Sequence, residues 1–183
     1  MKYGKCINGF YLIGLFMIIL TGCKKDDKVP ITIKIGASYQ GGIIFYVDGT
    51  GKHGLIAASS DQSITDPWWN GSFVTTGATS ASNGLSNTSA IITAEGNSGN
   101  YAARNCRVYT SGSYSDWFLP SKDELNLLYA QKTVVGNFTT QIYWTSTEYD
   151  LGDVWVQDFE TGEQHLDNSS DGANVHTRAI RAF

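Results

Sequence analysis

Histidine, cysteine and basic charge are all scarce in this 183-residue chain, and each shortage removes a class of function. The three histidines, His53, His165 and His176, lie in polar, turn-like surroundings where surface positions are expected. None belongs to a His-Glu-x-x-His pair, and no Gly-x-Ser-x-Gly elbow presents a nucleophile, so a hydrolase has no constellation behind it. Of the three cysteines, Cys6 and Cys23 belong to the N-terminal segment. Cys106 is then alone, which excludes an intramolecular disulfide even in an oxidising compartment and leaves the part of a small buried hydrophobe. Lysine and arginine number 13 against 17 acidic residues, a formal net charge of −4 that grows more negative once Lys2 and Lys5 leave with a leader. Nucleic acid is therefore not an expected partner.

A membrane-spanning run is missing too. The apolar stretch from Phe10 to Leu20 falls short of the ~20 residues a spanning helix needs and, behind Lys2 and Lys5, has the form of a signal-peptide core. It ends at Leu20-Thr21-Gly22-Cys23, which resembles the bacterial lipobox, where cleavage before the cysteine leaves a thioether-linked diacylglycerol on it. The expected division is a lipoprotein signal peptide over 1–22, a lipidated Cys23 with its tether over 23–40, and one domain over 41–183. Lys24-Lys25-Asp26-Asp27-Lys28 is a solvated charge cluster that no core would accept. Lys25-Asp26-Asp27 is also similar to the lysine-plus-acid signal that exports lipoproteins to the outer face of some Gram-negative outer membranes, although a plain charged linker has the same composition. Two or more acyl chains anchor stably, so the expected location is the bacterial outer membrane, with the protein held at the surface by lipid.

Glycine, with 20 residues, and aromatic residues, at 13%, are plentiful instead, and together they mark short strands between turns. Gly41 to Val47 and Leu55 to Ala58 read as a hairpin. Ser59 to Asn87 is a Ser/Thr/Gly-rich stretch longer than the ~12–15 residues at which loops become unusual, so it is either functional or a cover for the core. Thr88 to Glu95 and Tyr101 to Tyr109 read as helices. In Trp117-Phe118-Leu119-Pro120-Ser121-Lys122-Asp123-Glu124-Leu125, Pro120 keeps Leu119 extended, and Ser121 with Glu124 forms a capping box that starts a helix at Lys122. Leu125, Leu128 and Tyr129 place one stripe of that helix beneath Trp117 and Phe118. Ile142 to Glu148 and Val154 to Phe159 form a second hairpin, Gln164 to Asn174 is polar, and Thr177 to Phe183 closes the chain as a strand. The order predicts an α+β domain with its terminal strands paired, two to three helices and a C-terminal antiparallel sheet.

Several of these segments carry a resemblance: Gly41-Gly42-Ile43-Ile44-Phe45-Tyr46-Val47, Gly54-Leu55-Ile56-Ala57-Ala58, Ala102-Ala103 with Cys106, Trp117 to Ser121 with Asp123-Glu124-Leu125, Tyr143-Trp144-Thr145-Ser146-Thr147-Glu148 and Arg178-Ala179-Ile180-Arg181. In these the chain resembles the bacterial Lcl C-terminal-like (DUF1566-type) domains, relatives of the C-type lectin-like and formylglycine-generating-enzyme-like fold. The resemblance implies a lectin-like core and a secreted or surface-displayed binding domain. It implies no sugar specificity, because neither Glu-Pro-Asn nor Gln-Pro-Asp is present. Oxidative chemistry of the formylglycine-generating kind depends on cysteines, and only Cys106 is left to supply one.

Asp167, Ser169, Asp171 and Gly172 mimic the start of an EF-hand loop, but Arg178 stands where the bidentate carboxylate is needed. Asp150, Asp153, Glu160 and Glu163 lie in loops and form either a looser oxygen site or a solvated acidic rim, so calcium stays open and unassigned and no other cofactor is expected. Trp117 and Trp144 sit in the densest apolar segments and are expected in the core. Tyr109 and Tyr114 lie in or beside loops. The candidate ligand-binding residues are Tyr149, Asp150, Asp153 and Trp155 around the second hairpin turn, then Trp68 and Trp69, whose rings would stack on a glycan or peptide while carboxylates accept hydroxyl protons. The expected function is a lipid-anchored, non-catalytic binding module for an extracellular glycan or surface protein; the alternative is a structural or assembly component of the envelope with no small ligand. Cys23→Ser should abolish lipidation, since no other residue supplies the thiol. Incorporation of labelled palmitate into that variant, with continued fractionation to the membrane, would refute the anchor.

Overall fold

The computed structural model describes residues 33–183; the segment expected to be a signal peptide, Cys23 and the Lys24 to Lys28 cluster lie outside the described residues. The order is β1 (Ser38–Tyr39), β2 (Gly42–Val47), β3 (Gly54–Ala57), α1 (Gly84–Glu95), α2 (Ala102–Val108), α3 (Lys122–Ala130), α4 (Lys132–Val135), β4 (Ile142–Glu148), β5 (Asp153–Asp158), β6 (Gln164–Asn168), β7 (Val175–His176) and β8 (Ile180–Ala182). The chain is α+β, with one sheet ordered β1-β2-β3-β8 and another ordered β6-β5-β4-β7.

Several boundaries differ from the sequence expectations, each for a local reason. The segment assigned to the tether already contains β1, which pairs with β2 through Ser38↔Ile43 and Tyr39↔Gly42. The two residues between them, Gln40 and Gly41, both have positive φ, 44° and 90°, as a tight hairpin turn of the I′ kind requires. The last strand joins the first sheet beside β3 (Leu55↔Ala182, Ala57↔Ile180), so the terminal strands share a sheet but do not pair with each other. The C-terminal sheet is mixed, because β7 runs parallel to β4. Four helices form among the described residues: α4 is an added turn after α3, and α1 starts at Gly84 because the Asn83 side chain accepts the Ser86 N–H at 2.9 Å. The polar stretch from Gln164 holds β6, an edge strand that pairs with β5 along its whole length.

Neighbouring residues feed two separate cores. Ile44, Ile56, Trp117, Leu119, Trp144 and Ala179 pack in one with α1 and α2 residues such as Ile91, Ala102 and Cys106. Phe45, Ala57, Phe118, Tyr143 and Ile180 pack in the other with Leu125 and Leu128 of α3. An extended chain turns successive side chains to opposite faces, so strands between two cores are apolar at consecutive positions. Trp117 and Phe118 therefore part company: only Phe118 lies over the Leu125–Leu128 stripe. Cys106 is fully buried, and that burial pushes its thiol well above the ordinary range.

The capping box forms as expected and also does more. Glu124 Oε2 accepts the Ser121 N–H and Oγ–H, both at 2.8 Å, and the N–H of Gly84 at 3.0 Å, joining the starts of α3 and α1. Burial raises the Glu124 carboxyl above its usual range, and the Ser121 and Gly84 donors pull it part of the way back. A Cβ on Gly84 would stand 2.5 Å from Glu124 Oε2 and from the Leu119 carbonyl. Gly84→Ala should therefore cost about 1–3 kcal/mol by overpacking, against the ~1 kcal/mol that helix propensity alone would return. Ser121→Ala should cost about 0.5–2 kcal/mol and Leu125→Ala about 2–5. Denaturant unfolding measures all three, and a stabilised Gly84→Ala variant would show that the two helix starts are not locked together.

Candidate functional site

The turn between β4 and β5 is held at both ends. The N–H groups of Tyr149 and Asp150 both donate to the Asp153 carbonyl, at 3.0 and 3.2 Å, and the Gly152 carbonyl accepts the Ser169 N–H at 2.7 Å. Asp150 is exposed and Asp153 half-buried, while Tyr149 and Leu151 are each 58% exposed. Trp155 has its neighbours Val154 and Val156 in the core, so its own side chain lies on the opposite face of the sheet, across from Leu166. There the Lys122 ammonium sits 3.1 Å from the indole centroid and Tyr149 stands edge-on at 6.2 Å. Such a cation–π cover is worth about 0.5–1 kcal/mol at an exposed site. Tyr149 is thus the open ring, and stacking on Trp155 first displaces Lys122.

Trp68 requires a correction. It is only 2% exposed and donates from Nε1 to the Thr145 carbonyl at 2.7 Å, so it fills the core beneath the long loop and offers no face to a ligand. Trp69 is half-buried and packs on Phe73, with centroids 4.3 Å apart. The Phe73 ring reaches the second hairpin turn, where a Cβ on Gly152 would lie 3.4 Å from it. Two stretches far apart in sequence thus meet in one rim, Phe73 and Val74 from the loop with Asp150 and Gly152 from the turn, and Trp69 is packed against Phe73; Tyr149 stands on the Trp155 side of the same turn. Beneath it lies a cavity of about 10 Å³ lined by Phe73, Val74, Glu95, Glu148 and Asp150 among others, far below the ~300 Å³ of a small-ligand cleft. A hollow this small admits no ligand, which leaves only the surface of the rim open to contact. Phe73, Val74 and Leu151 carry no periodic signal in a Ser/Thr/Gly-rich context, and the sequence did not single them out.

The carboxylates at the base are engaged within the protein. Glu148 accepts the Thr76 N–H at 3.0 Å, the Thr76 hydroxyl at 2.9 Å and the Gly77 N–H at 2.9 Å. Glu95 accepts the Asn70 N–H at 3.0 Å; burial raises its carboxyl above the usual range, the Asn70 bond opposes this, and the Glu148 charge adds to it. Both acids hold the 70–77 segment that carries the rim. A bulge in β4 between Trp144 and Glu148 completes the support, with Thr147 Oγ1 accepting the Lys122 N–H at 3.0 Å and donating to the Ser80 carbonyl at 2.9 Å. Tyr109 packs edge-on against Trp117, and Tyr114 lies under the Arg181 guanidinium, so both serve packing.

His176 is not the surface residue expected: it is 7% exposed, with Nδ1 2.7 Å from Asp61 Oδ2. His53 is exposed and His165 half-buried. The fully buried Arg178 donates from Nε to Asp61 Oδ1 at 2.6 Å, from Nη1 to the Ala58 carbonyl at 3.0 Å and from Nη2 to the Asn137 carbonyl at 2.5 Å. The Tyr143 hydroxyl donates to Asp61 Oδ2 at 3.1 Å and is pushed up chiefly by burial. Each of the three guanidinium nitrogens of Arg178 has a partner, so the cluster is an internal clamp on the start of the long loop. Among the described residues no group of three or more His, Cys, Asp or Glu side chains converges on a metal position, and Asp150, Asp153, Glu160 and Glu163 do not assemble one. A scan against protein-family models finds no match to the chain, and a search of curated proteins finds no similar sequence. Asp61→Ala should cost about 3–5 kcal/mol, because it strands a buried guanidinium. A denaturation midpoint within error of the unsubstituted protein would remove the clamp from the fold's energetics.

Proposed function

We propose that the protein is a lipid-anchored, non-catalytic binding module of the bacterial outer membrane, with a C-type lectin-like fold of the DUF1566 type, taking an extracellular glycan on the rim around the β4–β5 turn. The observation that carries this reading is the rim itself. Two exposed rings, Tyr149 on the turn and Phe73 reaching it at Gly152, flank the exposed Asp150, and the turn's backbone is fixed by three hydrogen bonds. Rings of this kind stack on the apolar faces of sugars, and a carboxylate accepts hydroxyl protons beside them. The titratable groups that chemistry would draw on, Asp61, His176 and Glu148, are spent on internal bonds. The absence of a deep cleft beneath the rim suits recognition of a chain lying across a surface.

The negative net charge favours neutral or basic sugars over acidic polymers. A glycan array probed with the full-length protein tests the reading. Binding to neutral glycans should appear, and Tyr149→Ala, Phe73→Ala and Asp150→Ala should each weaken it about 3- to 10-fold. Silence across the array together with a stoichiometric co-purifying envelope protein would favour the structural alternative, and full affinity in all three variants would move the site elsewhere.

A further inference from the structure

A second concavity lies between α3 and the β2–β3–β8 sheet, and it shares no lining residue with the rim cavity. Its volume is about 440 Å³, inside the ~300–1,000 Å³ range of built ligand clefts. Tyr46, Leu55 and Ala182 are neighbours across three strands and form an apolar strip along it. Leu127 of α3 and the C-terminal Phe183 add walls, and Tyr46 and Leu127 remain 37% and 38% exposed. Three carboxylates line the same groove, Asp48, Asp123 and Glu124, with His53 at one end and no lysine or arginine among the lining residues.

Each acid has a local role. Asp48 Oδ1 accepts the Thr50 N–H at 3.1 Å and the Thr50 hydroxyl at 2.7 Å, which closes the β2–β3 turn. Asp123 stands in the first turn of α3, where negative charge suits the helix dipole. Those roles do not require the acids to face one apolar groove without a cation opposite. Sugar hydroxyls would find few partners along Leu55, Ala182 and Leu127, and an anionic lipid surface would be repelled. Lysine and arginine side chains have the complementary form, an aliphatic stem that lies on apolar surface and a charged head that reaches beyond it.

We propose that this groove docks a basic peptide segment of a partner protein, with an arginine or lysine head between Asp48 and Asp123 and an adjacent apolar side chain against Tyr46, Leu127 and Phe183. The test titrates the full-length protein into a fluorescein-labelled, end-blocked Gly-Arg-Trp-Arg-Gly peptide and its Gly-Glu-Trp-Glu-Gly counterpart, read by anisotropy. The basic peptide should bind saturably, at least about tenfold tighter than the acidic one, and lose affinity as salt rises. Asp48→Asn with Asp123→Asn preserves side-chain size and the turn acceptor, and should weaken binding about fivefold or more. Leu127→Ser should weaken it as well, while Asp150→Asn on the rim should leave it unchanged, which separates this site from the glycan reading. Thermal melts establish that the variants are folded. Equal binding of the two peptides, no saturable binding of either, full affinity in the double variant, or a neutral glycan whose binding is lost in Leu127→Ser would overturn the proposal.

Discussion

One carboxylate sets the geometry of the helical layer. Glu124 Oε2 takes two donors from Ser121 and one from Gly84, so a single negative charge serves the N-termini of α3 and α1 together. Helix starts present unsatisfied N–H groups and a positive partial charge, and sharing an anion between two of them fixes both their separation and their angle. No other residue type at position 84 leaves room for this, since a side chain would meet the carboxylate and the Leu119 carbonyl at once. From that joint, α3 covers one core with Leu125 and Leu128, and α1 covers the other with Ile91.

The joint also explains how the extended segment from Trp117 to Pro120 can serve both cores. Phe118 bridges to Ile180 through reciprocal backbone bonds of 2.8 and 3.0 Å, and the Pro120 carbonyl accepts the Ser146 N–H at 2.7 Å, so the segment is stitched to both sheets. Its residues then fall alternately into the two cores, as do Ile44 and Phe45, Ile56 and Ala57, Trp144 and Tyr143. Strands buried on both faces read as unbroken apolar runs, and this is why β2, β3 and the start of β4 were visible in the sequence while their facing was not. The start of α3 at Lys122 was legible to the residue because a capping box is a short-range signal. β6 was not, since an edge strand with one exposed face reads Gln-His-Leu-Asp-Asn, and β7 is only two residues long. The start of α1 was hidden because glycine at a first helical position looks like loop.

The rim around the β4–β5 turn was half legible on the same grounds. That Tyr149 and Asp150 lie in the turn and Asp153 at its edge could be read because a hairpin turn is set by its immediate neighbours. Trp68 was not, because what buries it is the Thr145 carbonyl 77 residues away. The partnership of Asp61 with Arg178 spans 117 residues, and no local pattern announces it. Sequence composition marked the stretch from Ser59 onward as loop, and the structure shows a loop with native-like internal order, held by Asp61, Asn87, Glu95 and Glu148. Buried polar groups with long-range partners are what make this loop a wall of the domain, and they are the part of a fold that local reading sees last.

Cys106 has a use that its packing role does not suggest. The described part of the chain holds one free thiol, fully buried among α1, α2 and Trp117, with ionisation suppressed by its surroundings. Thiolate is the reactive form, so in the native state this sulfur is silent both by access and by protonation. Any alkylation of it reports an opening of the larger core, not surface chemistry. A maleimide applied to the folded domain therefore reads the opening equilibrium of that core, with no label or substitution introduced beforehand.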